Sequence, residues 1–168
     1  MSNALQTLTR DRLVSLLLYD KETGEIKWRE TGAGRRRNKV AGSKDSHGYI
    51  QTRIDGRMYF NHRLAWIFAH GDFPKDVIDH IDGNILNNRI DNLRDVCRKT
   101  NQENQRSAPV SNKTTGLLGA TLHKGTGKFM AKIQVNRKQV YLGLFTTAEA
   151  AHAEYVKAKR HFHIGATI

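Results

Sequence analysis

Cysteine is the scarcest residue in the chain: of 168 residues, only Cys97 is one. A single thiol excludes an intrachain disulfide and a cysteine-based zinc cage. Long apolar runs are missing as well. The greasiest stretch, LVSLLLY, is far too short to span a bilayer, and the opening MSNALQTLTRDRL lacks the apolar run of a secretory signal. The expectation is a cytosolic protein with no membrane partner. Hydrophobic residues make up 38% and mean hydropathy is -0.62, so any core is modest and divided among small units. Acid is also in short supply, with 16 Asp plus Glu against 28 Lys plus Arg, a net charge of +12 and a pI near 10.1. That imbalance points to a polyanionic partner, nucleic acid first, and the length allows one domain or two or three small modules.

The charge is unevenly spread. Residues 1–57 carry 12 basic and 7 acidic side chains, residues 58–112 carry 7 and 7, and residues 113–168 carry 9 and 2. A neutral middle therefore lies between two basic flanks. Solubility alone does not require this arrangement, whereas a nucleic-acid enzyme with a cation site between two binding arms does.

Local patterns divide the chain further. Thr9 can cap a short helix with Leu13, Leu16 and Leu17 on one face, and YDKETGEIKWRE reads as a turn at Thr23-Gly24 leading into a strand. GAGRRRNKVAGSKDSHG is a glycine- and cation-rich surface loop, whose Arg35, Arg36 and Arg37 are expected to touch DNA. GYIQTRIDGRMYF alternates and turns at Asp55-Gly56, a hairpin signal, and NHRLAWIFAHG has helical spacing ending at Gly71. APVSNKTT, residues 108–115, has no periodicity and reads as a linker. Beyond it, KFMAKIQV sets Phe129, Ala131, Ile133 and Val135 against Lys128, Lys132 and Gln134, and a second strand, QVYLGLF, follows a turn at Asn136-Arg137. Thr146 with Glu149 makes a capping box for a closing helix with Ala151, Tyr155, Ala158 and Phe162 as its buried stripe.

The neutral middle holds DHIDGNILNNRIDNLR, residues 79–94, too polar for a core segment and too patterned for an arbitrary loop. DVIDH and NLRDV read as short strands and RKTNQENQR as a following helix. Such a unit can gather Asp79, His80 and a helix side chain such as Asn101 around one small cation, while the Asn and Asp residues tie the loop through side-chain to backbone hydrogen bonds. Phosphodiester hydrolysis needs a water nucleophile, a base to deprotonate it, and positive charge on the phosphate and leaving oxygen. His80 suits the base because imidazole titrates near neutral pH, and Asp79 and Asn101 offer the hard oxygens that Mg²⁺ prefers. Asp82 is read as a turn former, ahead of a second metal ligand. Arg94 and Arg98 either clamp phosphate or are solvated.

HRLAWIFAHGDFPKDVIDHIDGNILNNRIDNLRDVCRKTNQENQR, with its DHIDGN, NN, NLR and N..EN spacing, resembles the HNH endonucleases of the phage and intron-homing kind, over about residues 61–107. The resemblance implies the ββα-metal fold, His80 as general base, Asp79 and Asn101 as metal ligands, and Asn92 as the middle Asn that holds the loop against the strand. Two positions depart from the pattern: the last letter, commonly His, is Asn101, and the helix-capping Ser or Thr is Cys97. The implied cofactor is Mg²⁺, with Mn²⁺ able to substitute, and no structural zinc is expected. A phage-encoded protein acting in a bacterial host is the corresponding setting.

GATLHKGTGKFMAKIQVNRKQVYLGLFTTAEAAHAEYVKAKR is similar to the plant ethylene-response-factor (Apetala-type) DNA-binding domain. That resemblance, over residues 116–165, implies a three-stranded sheet backed by a helix and laid in the major groove, with Lys124, Lys128, Lys132 and Arg137 on or beside the exposed face. Leu122 and Phe129 stand near the places of the plant tryptophans.

The expected class is α+β: a helix and hairpin region at 1–60 forming a DNA-contacting arm, an HNH core at 61–107, a linker at 108–115, and a three-stranded antiparallel sheet with one packed helix at 116–168. The expected partner is double-stranded DNA, for a monomer or weak dimer. The expected activity is metal-dependent DNA cleavage; the alternative is a catalytically inactive DNA-binding or transcription regulator on the same scaffold. A weaker third reading is a nuclease directed at RNA.

Overall fold

The computed structural model describes residues 8–30, 39–109, 111–163 and 165–167. Arg35, Arg36 and Arg37 lie outside the described residues. The chain is α+β and divides into two compact units, Met1–Val96 and Cys97–Ile168. Among the described residues no helix is long and apolar enough to cross a membrane.

In the first unit, helix α1 (Arg10–Leu16) starts where Thr9 accepts a hydrogen bond from the Arg12 N–H at 3.2 Å, one of the donors a helix start leaves unpaired. The helix ends earlier than its leucine spacing suggests, because Leu17 opens strand β1 (Leu17–Tyr19), which pairs antiparallel with β2 (Ile26–Trp28). A second sheet joins β3 (Ser43–Lys44), β4 (Ile50–Ile54) and β5 (Arg57–Phe60) in that order. Asp55 and Gly56 both have positive φ, 47° and 82°, the backbone that a two-residue hairpin of matching twist requires. Helix α2 (Asn61–His70) follows and ends at Gly71 in the left-handed region.

Leu13, Leu17, Ile26, Trp28, Ile54, Leu64 and Ile67 form this unit's main core. Each fully buried leucine or isoleucine there contributes about 1.5–3 kcal/mol of transfer free energy. A buried polar relay crosses the core edge, where the Thr52 hydroxyl donates to Asn61 Oδ1 at 2.7 Å and Asn61 Nδ2 donates to the Ala41 carbonyl at 3.0 Å. It fixes the start of α2 against β4. The last pair of strands, β6 (Val77–His80) and β7 (Leu93–Val96), is antiparallel, and Ile78 and Leu93 pack on Ala65 of α2. Helix α2 thus supplies the floor on which β6 and β7 rest.

The second unit begins with the short helix α3 (Arg98–Glu103) and continues as β8 (Ala120–His123), β9 (Lys128–Val135), β10 (Lys138–Phe145) and α4 (Ala148–Phe162). The sheet order is β10-β9-β8, all antiparallel, and Ala120, Ala131, Ile133, Ala151, Tyr155 and Ala158 lie in the two small clusters between sheet and helix. Close approach needs small residues: a Cβ on Gly119 would lie 2.0 Å from Cγ of the Tyr155 ring. Asn136 and Arg137 make the β9–β10 turn, both at positive φ.

Two expectations about α4 are corrected. Its cap is Thr147, whose hydroxyl accepts from the Ala150 N–H at 3.1 Å, so the cap lies one residue beyond Thr146, and the residue three on from it is Ala150 in place of the Glu149 that a Thr146 box would use. Its buried stripe ends before Phe162, which is 42% exposed in the last turn, while Lys159 is buried with Nζ donating to the Gln105 carbonyl. A long aliphatic stem allows lysine to serve as a core residue when its ammonium finds a carbonyl.

Candidate active site

Strand β6 ends in Asp79 and His80, each only 4% exposed. The antiparallel register sets Asp79 opposite Arg94 of β7, and the guanidinium grips one carboxylate oxygen: Nε and Nη2 lie 2.8 and 2.7 Å from Asp79 Oδ2. A buried carboxylate without such a partner would be strongly unfavourable. Sequence reasoning left Arg94 between phosphate clamp and solvated side chain; its structural position is beside Asp79, as the cross-strand partner that neutralises it.

His80 is held by a different set. Its Nε2 is 3.1 Å from Asn88 Oδ1, and its ring meets His62 edge to face at 5.3 Å between centroids, with Tyr49 at 6.2 Å. His62 itself stacks on Phe60 at 5.2 Å. Burial lowers the His80 pKa, against the raising effect of the Asn88 hydrogen bond and of the Asp82 and Asp79 charges. The imidazole is therefore neutral at neutral pH, the state a proton acceptor needs. His62 is pushed down to about 3, by burial first and then by His80 and Arg63.

Between the two strands, residues 81–92 fold back through their own side chains. Asn92 Nδ2 donates to Asp82 Oδ1 at 2.9 Å and to the Asn87 carbonyl at 2.8 Å, while Asn92 Oδ1 accepts from the Asp82 N–H at 2.9 Å. Asn87 Nδ2 donates to the other Asp82 oxygen at 2.7 Å, and the Asn84 N–H donates to Asp82 Oδ1 at 2.8 Å. Burial works to raise the Asp82 pKa, but the bonds from Asn87, Asn84 and Asn92 prevail and hold it below the ordinary carboxylate range. Asp82 thus serves the turn. Asn92 is the tie that closes the loop onto the end of β6, where the Ile81 N–H also donates to the Asn92 carbonyl at 2.8 Å.

Sequence reasoning missed Asn88, Tyr19 and Tyr49. The doubled NN was visible, but nothing in it says which amide turns inward, and Tyr19 is 69 residues from the backbone it bonds. In the second unit, Asn101 lies on α3 with an exposed side chain, and Arg98 is exposed at the helix start. Lys124, Lys128, Lys132 and Arg137 are all exposed: Lys128 and Lys132 on β9, Lys124 and Arg137 in the turns at either end of it. Tyr141, 61% exposed, stands opposite Lys132 in the β9–β10 register.

Residues 59–106 match the model of the HNH endonuclease family. The HNH stretch contains the Asp79-His80 pair, the whole amide-rich loop, and Asn92 and Asn101. Protein 3.8 of Escherichia phage T7 is 40% identical over 79 residues, which are 46% of this chain and 64% of that protein, so the chain spans less than two thirds of the length of this relative. Among solved structures, that of the HNH homing endonuclease I-HmuI, which concerns DNA binding and cleavage, aligns over 89% of this chain and 88% of the other at 24% identity, with a TM-score of 0.41.

Proposed function

We propose that the chain is a metal-dependent DNA endonuclease of the HNH homing type, with His80 as general base. The observation that carries this reading is the buried Asp79-His80 pair at the end of β6, with the imidazole oriented by Asn88 and the carboxylate paired with Arg94. His80 would take the proton of the attacking water. The loop tied by Asn92 keeps the end of β6 in one conformation, which is how a site placed on a strand is held to useful tolerance.

The donor set suits a hard cation. Among the described residues no three His, Cys, Asp or Glu side chains stand together as metal ligands. A metal would then be held by few protein oxygens, as Mg²⁺ commonly is, its remaining positions filled by water and substrate phosphate. Asp79 would supply the anionic oxygen, and the HNH resemblance implies Asn101 as the neutral one. When bound, the ion would supply positive charge to the scissile phosphate and leaving oxygen. Manganese fits the same oxygens.

Double-stranded DNA is the substrate this reading assigns, and the basic flanks are its binding surfaces. Lys124, Lys128, Lys132 and Arg137 line or border the open face of the C-terminal sheet, and this reading assigns them, together with Arg35, Arg36, Arg37 and Arg98 of the sequence, to DNA phosphates. The test is incubation with supercoiled and linear phage DNA, with Mg²⁺ or with chelator. Nicked or linear product only in the presence of Mg²⁺ is expected, and its form gives the number of strands cut. Tight DNA binding without cleavage under Mg²⁺ or Mn²⁺ would instead identify an inactive regulator on this scaffold.

A further inference from the structure

The β1–β2 hairpin lies outside the HNH-matched residues, yet it touches the segment whose Asn88 bonds His80. Tyr19, the last residue of β1, donates its hydroxyl hydrogen to the Asn88 carbonyl at 2.9 Å. Gly24, in the turn between the strands, rests directly on the neighbouring backbone: a Cβ there would stand 2.5 Å from the Arg89 nitrogen, 2.6 Å from the Asn88 carbonyl carbon and 3.1 Å from the Asn88 nitrogen. Its φ of 75° also suits glycine. Two contacts from one hairpin thus fix the backbone of Asn88. The Asn88 side chain, in a residue 4% exposed, in turn meets His80 Nε2 at 3.1 Å.

An amide oxygen accepts and cannot donate, so the Asn88 contact requires the proton of the neutral imidazole to be on Nε2. The lone pair is then on Nδ1. From this chain of contacts we infer that the β1–β2 hairpin is a positioning element for His80: Tyr19 and Gly24 set Asn88, and Asn88 sets both the ring orientation and the Nε2–H tautomer. Partners that orient a functional histidine in this way govern its efficiency although they touch neither water nor phosphate. Asn88 and Tyr19 are therefore positioning residues. The inference rests on the reading of His80 as the base for its importance in catalysis, while the tautomer itself can be observed without any cleavage.

The experiment is a long-range ¹H–¹⁵N correlation spectrum of the full chain labelled at histidine, near neutral pH without added metal, with His80 assigned by its loss in His80→Gln. A single Nε2–H tautomer is expected for His80. Asn88→Leu should convert it to a mixture, Asn88→Asp, which keeps an acceptor oxygen, should restore it, and Tyr19→Phe should weaken it with the rest of the spectrum unchanged. In plasmid cleavage, Asn88→Leu should lower kcat by roughly 10- to 100-fold with KM within about twofold, and Asn88→Asp should recover most of the loss. An Nδ1–H tautomer in the wild-type chain, or a tautomer unmoved by Asn88→Leu, would overturn the role of Asn88. Should Asn88→Leu not fold, Tyr19→Phe decides the hairpin's part: an unchanged His80 signal and unchanged kcat overturn it. Wild-type cleavage by His80→Ala would overturn the assignment of the base while leaving the tautomer result standing, so the two failures are distinguishable.

Discussion

At the scale of single residues, burial determines what each side chain in the HNH segment can do. His62 and His80 share an aromatic box with Tyr49 and Phe60, and burial keeps both imidazoles neutral. For His62 the consequence is a pH dependence of stability. Its pKa is about 3 in the folded chain against an ordinary 6.5, so below pH 6.5 the unfolded chain binds a proton that the folded chain refuses. The contribution is fully present above pH 6.5 and is lost as pH falls toward 3, by roughly 3–5 kcal/mol in all. Urea melts from pH 7 to pH 4 should show the midpoint falling, and His62→Phe, which keeps a stacking ring but cannot titrate, should flatten that fall. Equal slopes for the two proteins would remove His62 as the cause. The sequence made Asp79 and His80 legible because an acid and an imidazole side by side in a polar, patterned stretch have a chemical use. It could not show Asn88, since four asparagines in nine residues look alike until the loop closes, nor the Arg94 grip on Asp79, which depends on the register of β6 and β7.

At the scale of elements, the features read correctly are those with a strong local signal. The Asp55-Gly56 hairpin, α2 with its glycine stop, the alternation of β9 and the Asn136-Arg137 turn all arise from backbone conformations or periodicities that short-range chemistry sets. Features set by tertiary pairing were harder to see. The leucine spacing puts Leu17 on the helix with Leu13 and Leu16, but Leu17 leaves α1 because it pairs with Trp28. The cap of α4 shows how little separates neighbouring choices. Thr146 and Thr147 are chemically equal, and only the extended backbone at Thr147, with ψ of 156°, aims its hydroxyl at the Ala150 N–H. Thr147→Ala should therefore cost about 1 kcal/mol, whereas Thr146→Ala should stay within about 0.5 kcal/mol. Thermal or denaturant unfolding of both variants checks this, and a larger loss from Thr146→Ala would return the cap to the position the sequence suggested.

At the scale of the whole molecule, charge and chemistry are separated along the chain. The acid–imidazole pair lies in a stretch with balanced charge, and residues 113–168 carry 9 basic side chains against 2 acidic ones. If the open face of the C-terminal sheet contacts DNA phosphates, Lys128→Ala and Lys132→Ala should each flatten the plot of log affinity against log salt by about 0.9. Loss of affinity alike on cognate and random duplexes would mark phosphate contacts, and loss confined to the cognate duplex would mark base reading. A slope unchanged in the double variant would show that this face does not touch the backbone. The account as a whole depends on His80, and the most direct measurement compares wild type and His80→Ala on supercoiled plasmid with Mg²⁺, alongside equilibrium binding of duplex DNA in chelator. A base acts in the transition state, so cleavage should fall by roughly 10²- to 10⁴-fold while affinity changes by less than about twofold. Cleavage by His80→Ala at the wild-type rate would contradict the account.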